Sequence, residues 1–290
     1  MGAVAVLLLG LVVGAQPGLL YAQEPTTEKS MYRVETTDGQ VLIGALMNET
    51  EQEVVIDARE LGEVTIQREN IERLEELSPE RFRDGEYWFP NPQSTRYFFA
   101  PNAIGIPKGT GYYQNTWVLF NNVNYGVSNN FSIGAGTVPV FLFGAEALPI
   151  WLLPKFSVST PRETLHLAGG AVLGGVLGVG DSEGAGLLYG SATLGGRDHN
   201  VTLGLGYGFA DGGFTDRPAL NISGMTRVGR TTYLISENYV FPGVEDASLL
   251  SVGVRWAPEN FAVDVALVRP LDDEGIVGIP WLGVTVPFGR

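Results

Sequence analysis

Four charged side chains fall where a strand would turn them away from its apolar face. In Leu250-Ser251-Val252-Gly253-Val254-Arg255-Trp256 the bulky residues share one face, so Arg255 takes the other. The run Phe261-Ala262-Val263-Asp264-Val265-Ala266-Leu267 places Asp264 by the same rule. A tight turn between the runs would set Trp256 opposite Phe261, leaving Arg255 and Asp264 as diagonal neighbours. Arg227 and Glu237, on the preceding hairpin, take the same inward face. The available chemistry is electrostatic: a charged constriction that selects solutes, or an ion-paired network that fills the space. Small residues on the inward faces elsewhere favour the network.

Other chemistry is poorly supplied. The chain holds two histidines, His166 and His199, and no cysteine. His199 falls in a predicted turn, Arg197-Asp198-His199-Asn200. His166 faces inward on Thr164-Leu165-His166-Leu167, and a barrel hydrolase would need a serine nucleophile beside it. The runs around Ser157 and Ser191 give no such context, so no enzyme and no cofactor is expected. Two distant histidines and scattered acids have no metal-ligand spacing. The Gly-rich stretches 169–180 and 204–213 lack a Lys-Ser/Thr ending and a following helix, which a phosphate loop requires. Asp181, Glu183, Asp211, Asp216, Glu245, Asp246, Asp272, Asp273 and Glu274 cluster in predicted loops, as solvated tips or as ligands for divalent cations.

The elements that carry these residues alternate. In Val201-Thr202-Leu203-Gly204-Leu205-Gly206-Tyr207-Gly208-Phe209 every odd position is bulky and every even one small. A bare second face suits the inside of a barrel whose outside meets lipid. Tight connections at 127–130, 159–162, 196–199, 229–230 and 257–260 recur at roughly thirty residues, two strands plus a return loop. Between them lie looser, Gly- and acid-rich connections at 107–111, 144–147, 178–186, 210–217, 242–246 and 271–275. This predicts a transmembrane antiparallel barrel of about twelve strands over 95–290, with short turns in the periplasm and long loops outside. Leu282, Val284, Val286 and Phe288 read as the final strand, with Pro287 near its end.

Residues 1–22 read as a secretory signal peptide, apolar and ending on Ala22, with no basic n-region. Residues 31–77 form a small β unit of five short strands, with a hairpin turn at Asp38-Gly39. Asp38-Gly39, Gly44 and Ile71…Leu74 resemble the Sm-like, SH3-like small barrel. The basic half of that pattern is replaced by Glu60, Glu63, Glu69, Glu72, Glu75 and Glu76, so RNA binding does not carry over, and a spacer or a docking module for a periplasmic protein is expected. A net charge of −14 further argues against nucleic acid. Residues 78–94 read as a linker, with Tyr87-Trp88-Phe89 either at a membrane interface or packed on the next domain.

Asn91-Pro92-Gln93-Ser94-Thr95-Arg96-Tyr97-Phe98-Phe99-Ala100-Pro101, Gly111-Tyr112-Tyr113-Gln114-Asn115-Thr116 and Asn122-Val123-Asn124-Tyr125-Gly126 resemble uncharacterised outer-membrane barrels of the Bacteroidota type. That resemblance implies an all-β fold in the outer membrane of a Gram-negative cell, with membrane lipid as a partner; the even strand count puts both barrel ends, and so the small domain, in the periplasm. It brings no activity. A narrow passive channel or structural membrane protein is expected, with two alternatives: a docking protein merely anchored by its barrel, and a soluble secreted β-protein.

Overall fold

The computed structural model describes residues 30–289 except 60, 84, 143–146, 163, 179–183, 211, 243–247 and 272–276. The expected signal peptide and most of the acidic loop residues (all but Asp216) lie outside the described residues. The chain divides into two compact units, Met1–Phe82 and Arg83–Arg290.

The first unit is an antiparallel sheet of β1 (Met31–Thr36), β2 (Val41–Glu49), β3 (Glu53–Ala58), β4 (Gly62–Gln67) and β5 (Ile71–Leu77), in the order β4-β3-β2-β1-β5. Gly39, at φ 84°, turns β1 into β2. The long β2 serves two partners, pairing β1 through Val41–Ala45 and β3 through Gly44–Glu49, with a bulge between Leu46 and Asn48. Gly44 permits this bend, because a Cβ there would stand 2.6 Å from the Asp57 carbonyl oxygen. Val34, Val54, Ile56, Ala58 and Ile66 form its buried core.

In the second unit a short ribbon pairs β6 (Phe82–Arg83) with β7 (Glu86–Tyr87). The wall then runs through β8 (Gly111–Thr116), β9 (Phe120–Gly126), β10 (Phe131–Thr137), β11 (Leu148–Leu152), β12 (Lys155–Ser159), β13 (Leu165–Leu177), β14 (Ala185–Gly195) and β15 (His199–Ala210). A short β16 (Gly213–Phe214) folds back on β15. The wall continues with β17 (Ala219–Arg227), β18 (Thr232–Val240), β19 (Ser248–Trp256), β20 (Ala262–Pro270) and β21 (Ile279–Phe288). Strands β11 and β12 are one wall strand interrupted at Leu153-Pro154, both halves pairing with β13. Pairing of β21 with β8 and of β9 with β10 closes the circle, giving a twelve-stranded antiparallel barrel.

The alternation follows the wall. On β15, Val201, Leu203 and Leu205 point outward at 55%, 59% and 50% exposure, while Asn200 and Thr202 are buried inside. A closed ladder with an apolar outer face meets both requirements for strands that cross hydrocarbon. Among the described residues no helix is long and apolar enough to cross a membrane.

The wall departs from expectation at its start. The stretch from Thr95 is not its first strand, and 107–111 is not a long outer loop. Residues 91–106 lie almost wholly buried inside the second unit, paired only through an Arg96–Pro101 bridge, and 107–110 joins them to β8 at the rim of short turns. The apparent strand 111–126 is instead two strands, β8 and β9, joined at Trp117-Val118-Leu119. Two errors of opposite sign leave the strand count intact. The physical reasons are that 91–106 carries polar groups on both faces, holds Pro92 and Pro101 and is followed by Pro107, and that the 117–119 turn has no Gly, Asn or Pro.

Candidate functional site

The barrel interior has two halves. Beside the short turns it is filled by the plug 91–106; beside the long connections it is a cavity. Two of the four expected inward charges, Arg255 and Glu237, hold the plug, and a third, Asp264, holds Arg255. Arg255, fully buried, grips Asp264 through Nε (2.6 Å) and Nη2 (3.0 Å). Its other guanidinium hydrogens go to plug carbonyls: Nη1 to Gln93 (2.6 Å) and Arg96 (3.1 Å), Nη2 to Tyr97 (2.8 Å). Arg255 and Asp264 are direct cross-strand partners rather than diagonal neighbours, since the connection 257–261 is long enough to set Trp256 against Val263. Trp256 and Phe261 still meet, edge to face at 5.2 Å between ring centroids.

Glu237 works by opposite polarity. Its carboxylate accepts the consecutive main-chain N–H groups of Phe98 (2.7 Å), Phe99 (2.9 Å) and Ala100 (2.8 Å), and the Tyr239 hydroxyl donates to it as well. Successive amides converging on one anion form a nest, worth more here than in water because the site is dry. Further wall side chains complete the hold. The Tyr97 hydroxyl bonds Asn200 (2.6 Å) and Thr202 (2.7 Å), and Lys155 Nζ donates to the carbonyls of Asn102 (3.0 Å) and Ile104 (2.8 Å).

Arg227 sits apart from this cluster, at the short-turn rim. It pairs with Asp198 (3.2 Å), which also accepts from the Tyr233 hydroxyl (2.8 Å). Its guanidinium lies over the rings of Trp88 (4.8 Å) and Tyr233 (5.3 Å). Trp88 is therefore packed, as one of the two readings of the 87–89 cluster has it, with Arg83 also over its ring at 4.2 Å.

The cavity holds about 620 Å³. Its floor is the tip of the plug, with Phe98, Phe99 and Pro101. Trp117, Trp151, Val172, Leu187, Tyr189, Tyr239 and Trp281 are among its apolar wall residues, and Gln114, Asn122, Asn124, Ser132, Lys155 and Arg96 among its polar ones. None of Arg227, Glu237, Arg255 and Asp264 lines it, so no ring of exposed charge constricts an open path there. Lys155 was within reach of the sequence rule, since Phe156 and Val158 face out and Lys155 and Ser157 must face in. Arg96 was not, because its segment has no period.

The histidines also depart from expectation. A serine does stand beside His166: Ser159 Oγ is 2.6 Å from His166 Nδ1, with Nε2 3.1 Å from the Gly195 carbonyl. Ser159 and His166 are cross-strand partners in the β12–β13 ladder, and Thr160 N–H bonds the Leu165 carbonyl (2.8 Å). The amide next to Ser159 is thus committed to the ladder, and the pair fastens two strands. His199 begins β15 rather than occupying a turn, its Nδ1 2.8 Å from Thr226 Oγ1. Among the described residues no group of His, Asp and Glu could hold a metal ion.

Fold and interior together define a closed twelve-stranded barrel with an internal plug. No protein-family model matches the chain, and no curated protein matches its sequence. Among solved structures it is similar to the KdgM porin, with 11% identity and a TM-score of 0.45, over 62% of this chain and 99% of that one. The KdgM porin in complex with disordered oligogalacturonate gives 10% identity and a TM-score of 0.44, over 62% and 98%. Outer membrane phospholipase A from Escherichia coli gives 10% and 0.35, over 64% and 94%. No residue role or activity transfers at these values.

Proposed function

We propose that this chain is an outer-membrane barrel of channel type whose path is held shut by its own segment 91–106. The observation that carries this reading is the hold on the plug. Arg255 and Glu237 bind main-chain carbonyls and amides between Gln93 and Ala100, which fixes the shape of that segment rather than merely filling space. The apolar outer face supports placement in a membrane, and the short turns support a periplasmic plug side. For residues 31–77 the strand order and the bend at Gly44 support an Sm-like sheet, which we take to be a periplasmic docking module for a protein partner. No catalytic step is assigned to Ser159 and His166.

Planar-bilayer conductance tests the channel reading. The intact chain is expected to stay mostly silent, and a chain with 92–106 replaced by a flexible Gly/Ser linker to conduct steadily. Glu237→Gln, which loosens the plug without removing it, should give intermediate, flickering openings. A steadily conducting intact chain, or a plug-less barrel that stays sealed, would overturn the proposal.

A further inference from the structure

We infer that the cavity above the plug is a binding site for an anionic amphiphile, a molecule with an apolar body and a carboxylate-like head. This deepens the channel reading and rests on it for the solute's direction of approach. A water-filled lumen is ordinarily lined with polar groups. Here the wall beside the long connections turns Trp151, Leu187, Tyr189 and Trp281 inward, against the rule that bulky residues face out. At about 620 Å³ the cavity falls within the ~300–1,000 Å³ usual for small-molecule sites, and it shares their mostly apolar lining with a few convergent polar groups.

Charge gives the sign of the head. The chain carries 32 acidic against 18 basic residues, yet the lining described here holds no Asp or Glu. Among the described residues its charged members are Arg96 and Lys155, both at least nine-tenths buried. Two cations at one side of an apolar cup favour a ligand that brings one negative end and little else that is polar. The same two side chains hold the plug, Lys155 through the Asn102 and Ile104 carbonyls and Arg96 through Gln114. An anion that engages them therefore competes with contacts that keep the path shut.

The test uses the full chain in nanodiscs, with 11-bromoundecanoate as a fluorescence quencher and 11-bromoundecanol as its neutral match. Trp117, Trp151 and Trp281 report the cup; Trp256, on the outer face, reports lipid. Saturable quenching by the carboxylate is expected, with the alcohol about 10-fold weaker. Gly204, inward on β15 and part of the lining, has nothing nearer to a built Cβ than Asn221 Cβ at 3.5 Å, so a side chain can start there and Gly204→Leu extends into the cup. It should abolish the saturable component, and replacing all three cup tryptophans, Trp117→Phe with Trp151→Phe and Trp281→Phe, should remove its signal. Linear quenching equal for acid and alcohol, or saturable quenching that survives Gly204→Leu, would overturn the assignment. A plug-less barrel that conducts while the intact chain shows only linear quenching would sink the ligand site alone. Saturable quenching beside a sealed plug-less barrel would sink the channel alone.

Discussion

At the scale of single residues, Arg255 illustrates how a cation is tolerated inside a barrel. A guanidinium has five N–H donors, and those of Arg255 are divided between one carboxylate and three plug carbonyls. Removing one partner of such a buried pair strands the other, at about 3–5 kcal/mol. Arg255→Met and Asp264→Leu should each lose stability on that order. The double variant should lose less than the sum, with a coupling of about 0.5–3 kcal/mol, because no buried charge is left behind. Urea unfolding of the four proteins in bilayers measures this, and simple additivity would mean the ion pair contributes nothing of its own. The inward position of the pair was legible because charge facing lipid is so costly. Their plug partners were not, since main-chain carbonyls and amides leave no signature in side-chain pattern.

At the scale of elements, the hidden turn between β8 and β9 is instructive. Trp117 and Val118 have φ of 51° and 64°, the left-handed region in two successive residues. Tight hairpins of that shape normally carry Asn-Gly, because only small or locally bonding residues enter the region cheaply. Trp117 is held there by tertiary contacts: its Nε1 donates to the Pro280 carbonyl (2.8 Å), and its ring packs 4.8 Å from that of Trp281. Tertiary packing overrides local preference, which is why an apolar run concealed a reversal of the chain. Val118 has no comparable anchor in the turn, being 76% exposed. Val118→Gly should therefore stabilise the barrel, by about 1 kcal/mol, through relief of left-handed strain. An unchanged or lowered unfolding midpoint would show that the strain is compensated elsewhere. The plug lacks a sequence signature for the complementary reason: as a non-periodic segment enclosed by the wall, it obeys neither the strand rule nor the expectation that loops lie on the surface.

For the whole molecule, the question is which solvent the apolar outer face meets. A membrane barrel and a soluble barrel respond differently to charge, and depth separates them. Leu205 lies near the middle of β15 and Leu194 beside the short-turn rim, and both point outward. In hydrocarbon, Arg at mid-strand costs about 2–4 kcal/mol and Arg near the interface about 0–1. Leu205→Arg should thus lower the stability of the bilayer-reconstituted protein by that larger amount, with Leu194→Arg near neutral. In a soluble protein neither site would be penalised by depth, and both variants would gain solubility without detergent. Heat-modifiable migration on gels gives a second reading, since a closed barrel stays compact in detergent until heated. If Leu205→Arg and Leu194→Arg prove equal, and residues 85–290 stay dissolved without detergent, the outer-membrane assignment falls, and with it any channel. The period-two pattern gave this outer face its legibility: each wall residue answers to one face only, whereas the interior answers to a plug whose sequence follows no period at all.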